Sequence, residues 1–338
     1  MLYPLLRPLL FSLKAETAHN LAIRSTALFS RMPPLTKFLH HFTRTHHPFT
    51  FAGLTFPNRV GLAGGMDKNG VAPAAWWACG FGFVELGTVT PRPQNGNDQP
   101  RMWRDVPRRA LFNRMGFNND GADVVAARLA MLKFRPPFPI GISIGKNKDT
   151  PNERAEDDYA EAGEKLAPHA DFVTINVSSP NTVGLRALQT AEAMAKLVSA
   201  VRTVIGGKPL LVKFAPELTG DELKAVLDAC LTAGAVGVIA TNTKAATSPT
   251  GLPCGESGRP IQDLSRQRVE EIRKHVGGGV LLIGVGGIED EKSAARMVDA
   301  GADLIQVYSA LVYEGPFLPA RLARGLKRRA VNTSPDRR

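Results

Sequence analysis

From about residue 51 onward the sequence repeats one pattern: a short run of apolar and β-branched residues, then a stretch with helical period. The runs fall at 60–65, 83–86, 140–144, 172–177, 210–214, 236–240, 281–285 and 304–307. A strand with one face in water alternates apolar and polar residues, whereas a continuous run is buried on both faces, as in a parallel sheet covered by helices. Segments able to form those covers lie between the runs, among them 157–166, 191–204, 221–231 and 292–300. Eight such strands, each followed by a helix-capable stretch, predict an α/β fold closed into a (β/α)8 barrel, with a small hairpin over 51–56 leading in. An open, doubly wound sheet would carry a GxGxxG fingerprint after an early strand, and none is present. At 338 residues the chain holds one barrel of about 250 residues and an extension.

In such barrels the chemistry sits on loops at the C-terminal ends of the strands. Unusual polar residues follow the strands here. Gly64-Gly65-Met66-Asp67-Lys68 ends the first, Gly87-Thr88-Val89-Thr90 the second and Gly145-Lys146-Asn147-Lys148 the third, which itself carries Ser143. The fourth runs into Asn176-Val-Ser-Ser179-Pro-Asn181-Thr182, and Thr241-Asn242-Thr243 closes the sixth. Lys213 lies inside the otherwise apolar fifth strand; a buried ammonium loses hydration and needs an anionic or strongly accepting partner. Gly286-Gly287 after the seventh strand and Tyr308-Ser309 after the eighth occupy the usual phosphate position of barrels, where bare backbone N–H groups face the anion. Asparagines at 113, 176, 181 and 242 exceed what turns require and point to amide recognition of a flat, polar ligand. The histidines form no HExxH or carboxylate-flanked cluster, so no metal is expected. Cys79, Cys230 and Cys254 are scattered, which excludes a disulfide framework and fits a reducing compartment.

The net charge of +11 admits nucleic acid, an acidic substrate or an anionic membrane as partner. No aromatic-interleaved basic module of the nucleic-acid kind appears, so no nucleic-acid partner is expected. Residues 1–50 hold Arg7, Lys14, Arg24, Arg31, Lys37 and Arg44 against the single acid Glu16. Leu2, Leu5, Leu6, Leu9, Leu10 and Leu13 share one helical face, which Pro4, Arg7 and Pro8 interrupt. The run is shorter than the roughly 20 apolar residues of a spanning helix. A second apolar-basic stretch covers about 18–29 and a third short helix 35–42. Two readings fit: a helix pair lying in a membrane interface, or a helical subdomain packed on its own barrel.

Taken in order, Gly64-Gly-Met-Asp-Lys68, Asn113-Arg-Met-Gly-Phe117, Gly145-Lys-Asn-Lys148, Asn176-Val-Ser-Ser-Pro-Asn-Thr182, Lys213-Phe-Ala-Pro216, Ser257-Gly-Arg-Pro260 and Gly284-Val-Gly-Gly287 resemble the motif series of the dihydroorotate dehydrogenases. The match runs from the N-terminal helices to about residue 320. The resemblance implies FMN in the barrel mouth, with Gly64, Gly65, Met66, Asp67, Lys68, Thr88, Ser143, Asn176, Lys213, Thr241 and Gly258 around the ring and ribityl chain, and Gly287, Tyr308 and Ser309 at the phosphate. It implies dihydroorotate on the flavin face, held by Lys68, Asn113, Arg114, Met115, Gly116, Phe117, Asn176, Asn181, Asn242 and Thr243. By family position the base that takes the C5 proton is Ser179, helped by a relay for which Thr182 and a water near Phe117 are candidates. The soluble class of the family has cysteine there. Serine marks the membrane-associated, quinone-reducing class 2, and the basic amphipathic N-terminus agrees with it.

That class implies a quinone passage with His19, Arg101 and Tyr308 as its polar residues, and peripheral attachment to the cytoplasmic face of a bacterial cytoplasmic membrane. The latter expectation follows from the lack of any presequence ahead of the matched segment. The expected organisation is a membrane- and quinone-facing helical extension over 1–45, the FMN barrel over 46–332 and a polar tail over 333–338. One departure stands out: Ser143 lies where the family usually has Asn, a shorter side chain with fewer hydrogen-bonding sites. Two rival readings fit the residues less well. An iron–sulfur-linked FMN barrel would need cysteine runs that this chain lacks. A barrel that only binds a membrane surface fits poorly with intact Lys68, Ser179 and Lys213.

Overall fold

A computed structural model describes residues 3–182 and 184–333, which leaves nearly all of the expected polar tail outside the described residues. Three helices lead: α1 (Tyr3–Ser12), α2 (Ala15–Ser30) and α3 (Pro33–Thr43). The helix α1 passes through Pro8. A proline inside a helix costs a backbone hydrogen bond. Here side-chain anchors to the barrel hold the helix, since Tyr3 donates to the Val312 carbonyl at 2.5 Å and Arg7 to the Tyr313 carbonyl at 3.1 Å.

The hairpin follows as β1 (Phe49–Phe51) and β2 (Leu54–Phe56), and then the barrel begins with β3 (Val60–Leu62), α4 (Pro73–Ala78) and β4 (Phe83–Val89). Next come β5 (Met102–Asp105), β6 (Ala110–Asn113), α5 (Ala122–Ala130), β7 (Ile140–Ile144), α6 (Ala155–Leu166), β8 (Phe172–Asn176), α7 (Ala191–Val204), β9 (Leu210–Phe214) and α8 (Gly220–Thr232). The chain finishes with β10 (Gly237–Ala240), β11 (Lys244–Thr247), β12 (Pro253–Gly258), α9 (Gln262–Val276), β13 (Leu281–Val285), α10 (Glu291–Asp299), β14 (Leu304–Val307), α11 (Ser309–Glu314) and α12 (Leu318–Thr333).

Eight of these strands close a parallel barrel in the order β10-β13-β14-β3-β4-β7-β8-β9. The expected runs and the observed strands coincide within a few residues. Both strand faces are buried because the outer faces pack on helices while the inner faces fill the barrel. Phe83 and Phe172 occupy that interior, 6.4 Å apart in an edge-on contact. Their rings require glycine on the neighbouring strands, because a Cβ at Gly61 or Gly141 would lie within 2.2 Å of them. Phe56 of the hairpin meets Phe83 edge-on at 5.3 Å and joins the same cluster.

A second sheet, which no sequence pattern announces, lies beside the barrel strands. β5 and β6 leave the chain after barrel strand β4, β11 and β12 after β10, and the four pair antiparallel in the order β11-β12-β6-β5. The register that joins the two hairpins sets Gly255 opposite Asn113 and Gly258 opposite Ala110.

Candidate active site

The C-terminal ends of the barrel strands open into a cavity of about 1140 Å³, its solvent-filled mouth included. Barrel strands β4, β8, β9, β13 and β14 supply wall residues themselves, β3 and β10 do so through the loops that follow them, and β7 does neither. Of the residues singled out in the sequence, Gly64, Gly65 and Lys68 line it from the loop after β3, and Thr88 from β4. Asn113, Met115, Gly116 and Phe117 line it from β6 and beyond, and Asn176, Ser179 and Asn181 from β8 and its loop. Lys213, Thr241, Asn242, Thr243, Gly258, Gly287, Tyr308 and Ser309 complete the set.

The asparagines are tied into two hydrogen-bonded groups. Asn176 Nδ2 donates to Thr88 Oγ1 at 2.7 Å, and its Oδ1 accepts from Ser178 Oγ at 2.9 Å. Asn242 Nδ2 donates to the same Ser178 Oγ at 2.9 Å, and Asn181 Nδ2 to Asn113 Oδ1 at 3.1 Å. Below them Tyr159 donates to the Asn176 carbonyl at 2.8 Å. These bonds fix the amide planes before any ligand arrives, so no ligand affinity is lost in ordering them. Ser179 is buried, and its Oγ accepts from the Asn181 N–H at 3.2 Å. Thr182, next to it, keeps a buried hydroxyl without a hydrogen-bond partner among the described residues.

The anionic partner that Lys213 requires is Glu85, whose Oε1 lies 3.8 Å from the ammonium nitrogen. Glu85 Oε2 accepts from Gln306 Nε2 at 2.7 Å, and both Glu85 and Gln306 are fully buried. Glu85 sits in a run read as apolar, yet the test applied to Lys213, a charge inside a buried strand, would have found it.

Burial, followed by the nearby Arg101 charge, lowers the Lys68 pKa to about 8, with Glu16 and Asp67 opposing. Burial and the Lys68 charge take the pKa of His19, half-buried on α2, down to about 3, which leaves it neutral at physiological pH. Arg101 is bound to Glu16 of α2 through its Nε at 2.9 Å and a terminal nitrogen at 2.8 Å. Neither His19 nor Arg101 lines the cavity, whereas Tyr308 does.

Four more of the singled-out residues lie off the wall. Met66 packs in the core. Asp67 accepts from the Val71 and Ala72 N–H groups, each at 2.9 Å, and from Trp76 Nε1 at 3.0 Å, so its carboxylate shapes the loop into α4. Arg114, next to Asn113 in the chain, does not line the cavity. Ser143 is fully buried with its hydroxyl 2.9 Å from Thr88 Oγ1, and it does not line the cavity. Other wall residues were not singled out, among them Arg109, Arg259, Glu289, Gln306 and Tyr313. Arg109 binds Glu289 and Glu314, each at 2.6 Å. Its position with φ +52° in a loop between β5 and β6 left no pattern to read.

The residues present fit FMN. At Gly287, with φ +70°, a Cβ would lie 2.5 Å from Gln262 Cα, so this part of the wall must be bare backbone, as a phosphate site needs. The hydroxyls of Ser257 and Ser309 lie beside it, 2.8 Å apart. Asn181 Oδ1, Thr243 Oγ1 and Gln306 Oε1 are buried atoms of wall residues without a hydrogen-bond partner among the described residues, the unmatched polar set that a ring with polar edges satisfies.

The family model described as Dihydroorotate dehydrogenase matches residues 48–330. Dihydroorotate dehydrogenase (quinone) of Chloroflexus aurantiacus is 45% identical over 344 aligned positions, covering 95% of this chain and 94% of the relative. The protein of the same description from Bordetella avium is 43% identical, covering 97% of this chain and 98% of its own length. Among solved structures, that of the Eimeria tenella enzyme DHODH in complex with ferulenol superposes with a TM-score of 0.82 at 33% identity, covering 94% of this chain and 92% of that one. The barrel, its polar mouth and these likenesses have one conclusion: the chain belongs to the dihydroorotate dehydrogenase family.

Proposed function

We propose that the protein oxidises dihydroorotate to orotate in pyrimidine biosynthesis, binds FMN as its cofactor and delivers the electrons to a membrane quinone. The observation that carries the reading is the convergence of Lys68, Asn113, Asn181, Asn242 and Ser179 on the same cavity wall. The relatives described as quinone-dependent support the acceptor.

FMN, when bound, supplies the chemistry of accepting a hydride. The chain's own residues do the rest. Lys68 pairs with the substrate carboxylate, and the asparagine amides meet its ring N–H and C=O groups. Ser179 takes the proton from C5. The N–H of Asn181 aimed at Ser179 Oγ favours negative charge on that oxygen, and the Thr182 hydroxyl and a water near Phe117 form the relay that carries the proton on. Gly64, Gly65, Thr88, Asn176, Lys213, Thr241 and Gly258 hold the ring and ribityl chain, and Gly287, Tyr308 and Ser309 the phosphate.

The protein works peripherally at the cytoplasmic face of a bacterial cytoplasmic membrane. No described helix is long and apolar enough to cross a membrane. The leading helices nonetheless expose Leu5, Leu6, Leu9, Leu28, Phe38 and Phe42, and α1 and α2 bury no residue fully. That apolar surface, with Arg and Lys around it, is the composition of an interfacial helix group. Quinone reaches the flavin past His19, Arg101 and Tyr308. The test is anaerobic addition of dihydroorotate to the purified protein. Bleaching of the flavin band followed by recovery with a quinone analogue supports the whole reading. Recovery with fumarate alone overturns the quinone, and a bound flavin that does not bleach overturns the substrate.

A further inference from the structure

Glu85, Lys213 and Gln306 come from β4, β9 and β14 and meet inside the barrel directly below the cavity. Lys213 and Gln306 belong to the cavity wall, and Glu85 does not. Its carboxylate stands behind the wall all the same, since a Cβ at Gly64 would come within 2.6 Å of Glu85 Oε1. Fully buried, the carboxylate has one hydrogen bond among the described residues, from Gln306, while Oε1 has none there and faces the Lys213 ammonium at 3.8 Å. Stability alone does not account for such a pair, because replacing a buried ion pair with apolar residues of like volume is often neutral or stabilising. The arrangement does have an electrostatic consequence. An ammonium on the cavity wall acts on whatever lies against it, and a carboxylate a few ångströms behind it cancels much of that field.

We propose that Glu85 is a positioning residue: it holds the Lys213 ammonium against the cavity and offsets its charge, and so sets the electron affinity of the bound flavin. The proposal rests on the flavin reading above and adds to it a residue that touches neither cofactor nor substrate.

The experiment measures the midpoint potential of the bound flavin by spectroelectrochemistry in the holoprotein, for the wild type, Glu85→Gln and Glu85→Asp, with thermal unfolding recorded for each. Glu85→Gln keeps the shape and removes the charge, so the Lys213 ammonium acts uncompensated and the potential moves upward. Glu85→Asp keeps the charge but withdraws it by one methylene, so its potential falls between the other two. An upward series from wild type to Asp to Gln supports the proposal, whatever the order of melting temperatures. A Gln variant that binds flavin at an unchanged or lower potential overturns it, as does an Asp variant shifted as far as Gln. Should the Gln variant fail to fold, the Asp variant decides alone: a raised potential supports, an unchanged or lower one overturns. A wild-type protein that binds no flavin under any loading condition fails the cofactor reading instead, so the two failures are distinguishable.

Discussion

Lys68 offers a direct titration of the substrate site. Burial and the Arg101 charge lower its pKa to about 8, so it carries its charge below that pH and loses it above. From the titration curve alone, its charged fraction falls about tenfold between pH 7 and pH 9. A charge-assisted hydrogen bond contributes about 1.5–3 kcal/mol, which corresponds to roughly 10- to 150-fold in affinity. Orotate carries the carboxylate that Lys68 is assigned to hold, and it can be titrated into the oxidised holoprotein and followed by perturbation of the flavin spectrum. Its dissociation constant should be flat to about pH 7, then rise toward a tenfold increase per unit above pH 8. By linkage the bound anion raises the pKa of Lys68 in the complex, so the weakening ends at a higher pH there. Lys68→Met should bind orotate about 10- to 100-fold more weakly at pH 7 and lose the pH step. Wild-type affinity that does not change from pH 6 to 9.5, or a Met variant that keeps the step, would remove Lys68 from the carboxylate site.

Three further outcomes follow from the geometry. Ser179→Ala should slow flavin reduction by dihydroorotate by about 10²–10⁴, the usual contribution of a positioned base, while orotate binding changes little; stopped-flow bleaching at an undiminished rate would assign the proton elsewhere. Leu5→Glu with Leu9→Glu alters two side chains that are 77% and 68% exposed, so folding should be untouched. Loss of about 1.5–3 kcal/mol per leucine should cut binding to anionic vesicles roughly 100-fold or more in a flotation assay, and equal binding would refute the interfacial role of α1. Ser143→Asn places a longer amide beside Thr88 and should change flavin affinity in a fluorescence titration; an unchanged affinity and potential would show that the serine is without consequence there.

The barrel was legible because its strands are buried on both faces, so 140–144 or 304–307 can be read without knowing any partner. The second sheet was not legible. Its strands, such as Lys244–Thr247 and Pro253–Gly258, are neither continuous nor alternating in apolar character, and one of the two edges of Ala110–Asn113 pairs with residues more than 140 positions away. Most of the cavity wall was readable, because polar residues at strand ends stand out against apolar neighbours. Arg109, Glu289 and Tyr313 were not, since they arrive from loops and a short helix whose placement depends on tertiary contacts. The distinction between Asp67, which is committed to backbone N–H groups, and its neighbour Lys68 on the wall is likewise invisible in Gly64-Gly-Met-Asp-Lys68.

The antiparallel sheet at the barrel mouth also constrains how such a protein can diversify or be re-engineered. Barrel enzymes commonly change specificity by exchanging one strand-to-helix loop at a time, because each loop folds independently of the others. Here the hairpin after β4 and the hairpin after β10 interlock through the β6–β12 register, and Asn113 and Gly258 on the wall are fixed by that pairing. A graft of either hairpin alone would leave its partner with an unpaired edge, a ready template for association between molecules. The two loops are therefore a single module written in two distant places in the chain, and they must be inherited, swapped or redesigned as a unit.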